Sequence, residues 1–278
     1  MATTTATVPP PLTSEQKRAA ASRRENGFLA AAVLAMVLFP FVDSALGLGT
    51  IGSWEGILVY CILAMGLNIV VGYAGLLDLG YAAFFAIGAY TIGFLTSPAS
   101  VFVQNGWVPG WAQNFWFAMG ISWLVAALFG VLLGAPTLRL RGDYLAIVTL
   151  GFGEIVPNFF RSADKITGGV NGLNPIAKPP SFTLFGYEVG FSATDQRNWY
   201  WLMLLVGLFS LLIIRRMYDS RLGRTWQAMR EDEIAASSMG VNLVTTKLWA
   251  FALGASCAGF AGTIFSSTFQ IGEPSQVV

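Results

Sequence analysis

Hydrophobic positions along this chain fall in long blocks, unlike the short alternations of strands or the one-sided stripes of surface helices. Seven blocks nearly free of charge cover residues 28–48, 56–71, 79–96, 115–135, 144–160, 199–214 and 248–266. Roughly 20 apolar residues per block is what a helix needs to cross a hydrocarbon core about 30 Å thick. Lipid offers no partner to an open strand edge, so such spans fold as helices. The pattern predicts an all-α fold, a polytopic transmembrane helical bundle of about seven spans.

The polar pieces organise the rest. Residues 1–26 mix Thr, Pro, Ala and charge and read as a disordered tail, leaving 27–278 as the transmembrane domain. Two later polar segments are large enough to matter, a loop over 161–198 and a strongly charged one over 215–247. Basic residues orient the spans. With the N-terminus cytoplasmic, twelve lie inside: Lys17, Arg18, Arg23, Arg24, Arg139, Arg141, Arg215, Arg216, Arg221, Arg224, Arg230 and Lys247. Only Arg161, Lys165, Lys178 and Arg197 then lie outside, so 1–26 is a cytoplasmic tail, 161–198 an outer loop and 215–247 a cytoplasmic one. Trp107 and Trp111, in the uncharged stretch 97–114, suit the membrane interface.

Composition agrees and excludes several functions. Apolar residues make up 55% and charged ones 11%, against about 25% charged in soluble domains. The net charge of +1 gives nucleic acid nothing to bind. There is no histidine, which excludes zinc-protease helices, serine-type triads and histidine proton relays. No G-x-x-x-x-G-K-[ST] phosphate loop occurs, so any ATP is bound on another subunit. Cys61 and Cys257 lie inside apolar runs and read as small packing residues rather than a disulfide.

The charged segment 215–247 carries the most local information. Leu222, Trp226 and Met229 recur at helical spacing, flanked by Arg221, Arg224 and Arg230. The run Glu231-Asp-Glu-Ile-Ala-Ala-Ser-Ser-Met-Gly240 places acids at the start of a short helix, where its dipole favours them, and a capping glycine at its end. Ala235, Ala236, Ser237 and Ser238 are small enough for another protein to approach closely. Periodicity alone equally suits an amphipathic helix lying on the membrane surface.

A second signal is the string Gly66-Leu-Asn-Ile-Val-Val-Gly-Tyr-Ala-Gly-Leu-Leu-Asp-Leu-Gly-Tyr-Ala-Ala-Phe-Phe-Ala-Ile-Gly-Ala-Tyr90. Gly72, Gly75 and Gly80 permit a tight re-entry between two spans, and Gly88 permits close helix packing. Four acids lie in or beside spans. Asp43 and Glu55 are expected in solvent near the outer interface, and Asp78 in the glycine-rich turn as a cap for the next helix. Glu154, flanked by Gly151, Gly153 and Pro157, either lines a polar path or bonds to a neighbouring helix.

These motifs together resemble a known family. Arg230-Glu-Asp-Glu-Ile-Ala-Ala…Gly240 followed by Lys247-Leu-Trp-Ala-Phe-Ala-Leu-Gly254 is similar to the coupling loop of ABC importer permeases, with Ile234 at the usual Glu position and Glu233 one residue earlier. The 66–90 string, Thr149-Leu-Gly-Phe-Gly-Glu-Ile155 and Thr167-Gly-Gly-Val-Asn-Gly-Leu173 resemble high-affinity branched-chain amino-acid permeases of the LivH/LivM family, LivM type. The resemblance implies a permease subunit in the cell (inner) membrane, with no cofactor of its own. Its partners would be two cytoplasmic ATPase subunits that carry ATP and Mg, a second permease, an extracytoplasmic substrate-binding protein and membrane lipid. Arg230, Glu231, Glu233, Ala235, Ala236 and Gly240 would then couple to the ATPase. Asn68, Gly72, Gly75, Asp78, Gly80 and Glu154 are the candidate translocation path. Leucine, isoleucine and valine are the implied substrates; related permeases serve urea or other amino acids. An ion-coupled secondary transporter fits the glycine-rich string but leaves the coupling loop unexplained. Family members continue with further spans beyond Glu273-Pro-Ser-Gln-Val-Val278, so the expectation is a chain shortened relative to the family.

Overall fold

The computed structural model describes residues 14–137, 143–184, 187–191 and 196–269. The start of the tail (1–13), Arg139, Arg141 and the terminal Glu273-Pro-Ser-Gln-Val-Val278 lie outside these. The chain divides into two units, Met1–Thr50 and a second that begins at Ile51.

Among its described residues the first unit holds one helix, α1 (Ser14–Leu46). Its residues 14–26 correct the expectation of a disordered tail there. The segment is rich in Ala, Arg, Glu, Gln and Lys, which favour helix, and it is contiguous with an apolar run that supplies the nucleus. Asp43 is a second correction. Its carboxylate is buried, not solvated, because Oδ1 accepts both Thr50 N–H (3.0 Å) and Thr50 Oγ1–H (2.6 Å) and closes the turn after the helix.

The second unit contains α2 (Ile51–Asn68), extended by a π-helical turn (Ile69–Tyr73), then α3 (Ala82–Thr96) and the single turn α4 (Val101–Gln104). Next come α5 (Phe115–Thr137), α6 (Asp143–Ser162), the short α7 (Asp164–Thr167) and a hairpin of β1 (Phe182–Leu184) and β2 (Tyr187–Val189). The chain continues through α8 (Gln196–Tyr218), α9 (Arg221–Glu231), α10 (Glu233–Ser238) and α11 (Leu243–Phe269).

Among the described residues, six helices are long and apolar enough to cross a membrane: the Gly27–Leu46 part of α1, α2 with its π turn, α3 with α4, α5, α8 and α11. Helix α6 matches the remaining expected span in length, 20 residues, but carries Asp143, Glu154 and Arg161.

Helix α11 is the axis of the second unit and packs on α2, α3 and α5. Its run of Gly, Ala, Ser and Cys from Gly254 to Gly259 allows backbones to touch, which is how helices gain contact where lipid removes the hydrophobic drive. A Cβ on Gly88 would lie 2.5 Å from the Gly259 carbonyl oxygen, and one on Gly130 would lie 2.6 Å from the Phe251 oxygen. Both cysteines are free. Helices α2 and α8 run parallel, since Gly52 abuts Gln196 and Gly207 abuts Ile62. Glu55 lies in the first turns of α2 and is buried at 3% exposure, with Oε1 unpartnered among the described residues. The expectation of a solvated Glu55 is therefore corrected: the start of α8 packs along α2 at this level.

Candidate functional site

The charged segment 215–247 folds as α9, α10 and the start of α11. Ser220 caps α9 by accepting Gly223 N–H. The helix then turns Trp226 and Met229 inward, both essentially unexposed, with Leu222 partly buried beside them. These side chains pack among Ile69, Val70, Leu76, Ile214 and Phe251, and Trp226 Nε1 donates to the Thr246 carbonyl at 2.9 Å. The apolar face of α9 is thus consumed inside the protein, so it has no apolar face left to lay on a membrane.

Helix α10 is built to stand out. Asp232 begins it, with Oδ1 accepting Ile234 N–H (2.8 Å) and Ala235 N–H (3.1 Å). This is the N-cap geometry that satisfies orphan amides and suits the helix dipole. Gly240 follows at φ +85°, a left-handed conformation that favours glycine, and lets the chain reverse into α11. Between the caps Ile234 and Ala235 are exposed and Ala236 is buried, and Met239 just past the helix is also exposed. The start of the helix is pinned by an ion pair of Glu233 with Lys247 at 2.6 Å. Glu231, the last residue of α9, is exposed.

Arg230 joins this region to the glycine-rich string. Its Nη1 donates to the Gly72 carbonyl oxygen at 2.5 Å. That oxygen belongs to the π turn, where Asn68 packs on Gly72 and its side chain bonds to Tyr73. Gly75, at φ +69°, lies against the Arg230 stem, where a Cβ would come 2.8 Å from Cγ.

Beyond Gly75 the chain re-enters toward α3. Asp78 is buried; Oδ1 accepts Gly80 N–H at 3.0 Å, so it caps the turn ahead of α3 rather than the first helical amide. Its Oδ2 is unpartnered among the described residues, and Asp78 lines a small cavity with Phe84, Leu133, Thr149, Phe152 and Phe251. Asp78 lies outside both flanking spans, and burial pushes its carboxyl up to about 6 against the opposing pull of the Gly80 amide. Gly80 touches the α6 backbone: a Cβ there would overlap the Thr149 carbonyl. Thr149 Oγ1 in turn accepts Leu79 N–H at 3.0 Å. Tyr81 closes the turn by donating to the Gly254 carbonyl at 2.7 Å.

Glu154 stands apart from this network. It lies on the exposed face of α6 with Ile147, Leu150, Asn158 and Arg161, all within one stripe at helical spacing. Among the described residues it has no ion-pair or hydrogen-bond partner, so a bond to a neighbouring helix is absent there. The other candidates therefore fall into two connected groups, 68–80 and 230–240, bridged by Arg230, with Glu154 on its own.

The motif Thr167-Gly-Gly-Val-Asn-Gly-Leu173 has a structural explanation. Thr167 Oγ1 donates at 2.6 Å to the Phe160 carbonyl, Gly168, Gly169 and Gly172 adopt positive φ, and buried Leu173 packs on Gly93. The roles of Asp232, Thr149, Tyr81 and Lys247 were not evident from spacing. Only Asp232, two residues before Ile234 at the head of a short helix, carries a local signal of its own.

The family model for the branched-chain amino acid transport system permease component matches residues 55–278. The chain is 43% identical over 261 residues to the high-affinity branched-chain amino acid transport system permease protein LivM of Escherichia coli K12, covering 86% of this chain and 57% of that protein. It is 42% identical over 260 residues to LivM of Salmonella typhimurium, with the same coverage. A probable LivM of Methanocaldococcus jannaschii is 25% identical over 236 residues, 77% of this chain and 65% of that protein. The chain thus spans somewhat over half the length of the two bacterial relatives. No solved structure matches.

Proposed function

The chain belongs to the branched-chain amino acid transport permease family, and from that premise we propose that it is the membrane path of an ATP-driven importer for leucine, isoleucine and valine. The N-terminus and the α9–α10 end face the cytoplasm. The chain itself performs no catalysis and binds no nucleotide; two partner ATPase subunits hold ATP and Mg and dock on α10. A second permease completes the path, and an extracytoplasmic binding protein delivers the substrate to the outer face.

The observation that carries this reading is α10. It is a capped, ion-paired helix of six residues presenting Ile234, Ala235 and Met239 outward while its base is fixed to α11. A helix seated through Ala236 and held at its base, yet with Ile234, Ala235 and Met239 left exposed, is shaped to receive force from a partner. The exposed Glu154, Asn158 and Arg161 of α6 support a polar path on that face, since a bare carboxylate facing lipid costs about 2.5–3.5 kcal/mol on insertion scales.

The test is purification from the native membrane, followed by reconstitution of whatever co-purifies. ATP-dependent leucine uptake with an ATPase subunit bound supports the reading. Uptake driven by an ion gradient with no ATPase bound would replace it with a secondary transporter. Competition by urea or other amino acids would revise the substrate alone.

A further inference from the structure

Two polar contacts at or beside the exposed α10 tie it to more distant parts of the molecule. One is the Glu233–Lys247 ion pair, which ties it to α11. The other runs through Arg230, in the last turn of α9 and two residues before the Asp232 cap, to the Gly72 carbonyl. That acceptor is unusual. A π turn shifts hydrogen bonding from i+4 to i+5 and disturbs the regular ladder at its ends. Gly72 lies in that turn and its oxygen takes a guanidinium from 158 residues away.

The bond lies at the protein surface, and the helix that carries Arg230 is held beside it by buried packing. Trp226 and Met229 of α9 share one buried cluster with Ile69 and Val70 of the π turn and with Leu76 just beyond it. Gly75 lies against the Arg230 stem, with no room for a Cβ. The turn leads on to Leu79, whose N–H donates to Thr149 Oγ1 of α6, and to Tyr81, whose hydroxyl donates to the Gly254 carbonyl of α11. A displacement of α10 therefore reaches the π turn and the re-entry through one charge-assisted hydrogen bond braced by a wedge of side chains. Packed interfaces of this kind switch between arrangements rather than deform smoothly.

We propose that Arg230 is the positioning residue that transmits movement of the ATPase-docking helix to the π turn and re-entry at residues 69–81, and so gates the path. The inference rests on the reading of α10 as the docking helix. Arg230 acts through Gly72 and touches neither nucleotide nor substrate.

The test uses the whole complex from the native membrane, reconstituted in vesicles, with labelled leucine as the probe. Three quantities are read: ATPase subunit bound per permease, ATP hydrolysed, and leucine taken up per ATP. In Arg230→Ala the ATPase stays bound at the wild-type ratio and hydrolyses ATP, while leucine per ATP falls about tenfold, the lower end of what one charge-assisted hydrogen bond is worth. Arg230→Lys, which can still donate to the carbonyl, recovers at least part of the loss. Gly75→Ala, which displaces the Arg230 stem without removing it, shows the same uncoupling and carries the test should Arg230→Ala fail to accumulate. Unchanged leucine per ATP in Arg230→Ala, or in Gly75→Ala where that variant carries the test, overturns the proposal. Loss of the ATPase subunit from Arg230→Ala also overturns it, making Arg230 a docking contact. A wild-type complex that lacks an ATPase or ATP-driven uptake removes the docking reading itself, an outcome visible before any variant is made.

Discussion

Lys247 Nζ lies 2.6 Å from Glu233 Oε1, with the lysine side chain 7% exposed and the glutamate 32%. The asymmetry decides what each substitution does. Removing Glu233 strands a nearly buried ammonium, whereas removing the lysine leaves a carboxylate that reaches water. Glu233→Gln is expected to destabilise by about 1–3 kcal/mol, and Lys247→Met by less. The double variant should be more stable than Glu233→Gln alone. Thermal unfolding in detergent of all four proteins forms the cycle; a double variant no better than Glu233→Gln would mean that the pair does not anchor α10.

Ala235 and Ala236 are neighbours with opposite surroundings, one exposed and one 4% exposed. Bulk at Ala235 should spare the fold and block the docking face. Bulk at Ala236 should force α10 off its bed at a cost of about 1–3 kcal/mol. Ala235→Trp is therefore expected to lose bound ATPase at an unchanged melting temperature, and Ala236→Trp to melt earlier. An Ala235→Trp variant that retains its ATPase and transports normally would remove α10 as the docking helix.

The central helix gives a prediction about stability alone. A Cβ on Gly262 would overlap the Phe85 carbonyl, while one on Gly120 of α5 meets nothing within 4 Å. Gly262→Ala should lower stability by about 1–3 kcal/mol through overpacking. Gly120→Ala should be neutral, or gain about 0.5–1 kcal/mol from helix propensity. Equal melting temperatures for the two variants would contradict the close contact of α3 and α11.

Much of this architecture is legible in the sequence because a bilayer selects spans by length and apolarity. The glycine string announced close packing, and the acids and Gly240 announced a short capped helix. The sequence does not reveal what covers a given residue. Depth along a span puts Asp43 and Glu55 near solvent, and depth says nothing of Thr50 closing on one or of α8 packing along the other's helix. Polarity reads residues 14–26 as a tail, although their propensities favour helix. Arg230 was legible as part of a loop motif. Its acceptor at Gly72 and the Tyr81 bond to Gly254 join positions more than 150 residues apart, and no local spacing encodes them.

Asp78 connects this network to pH. Its carboxyl sits at about 6 in the folded protein against an ordinary value of 3.8, because burial disfavours its charge. A carboxyl raised on folding binds its proton more tightly in the folded state than in the unfolded one. Its contribution to stability is therefore greatest below about pH 4, declines as the pH rises to about 6, and is constant above that. At about 1.36 kcal/mol per unit the whole effect is about 3 kcal/mol. Asp78→Asn keeps an oxygen for the Gly80 amide but cannot ionise, so it should abolish this part of the pH dependence. The Asn amide group would sit where Oδ2 lacks a partner, which lowers the variant's stability by a pH-independent amount. Melting temperatures of the two proteins between pH 4 and 7 separate these effects. The wild-type curve should fall toward the variant's as the pH rises through this window, and two parallel curves would show that Asp78 does not carry its proton into the folded state.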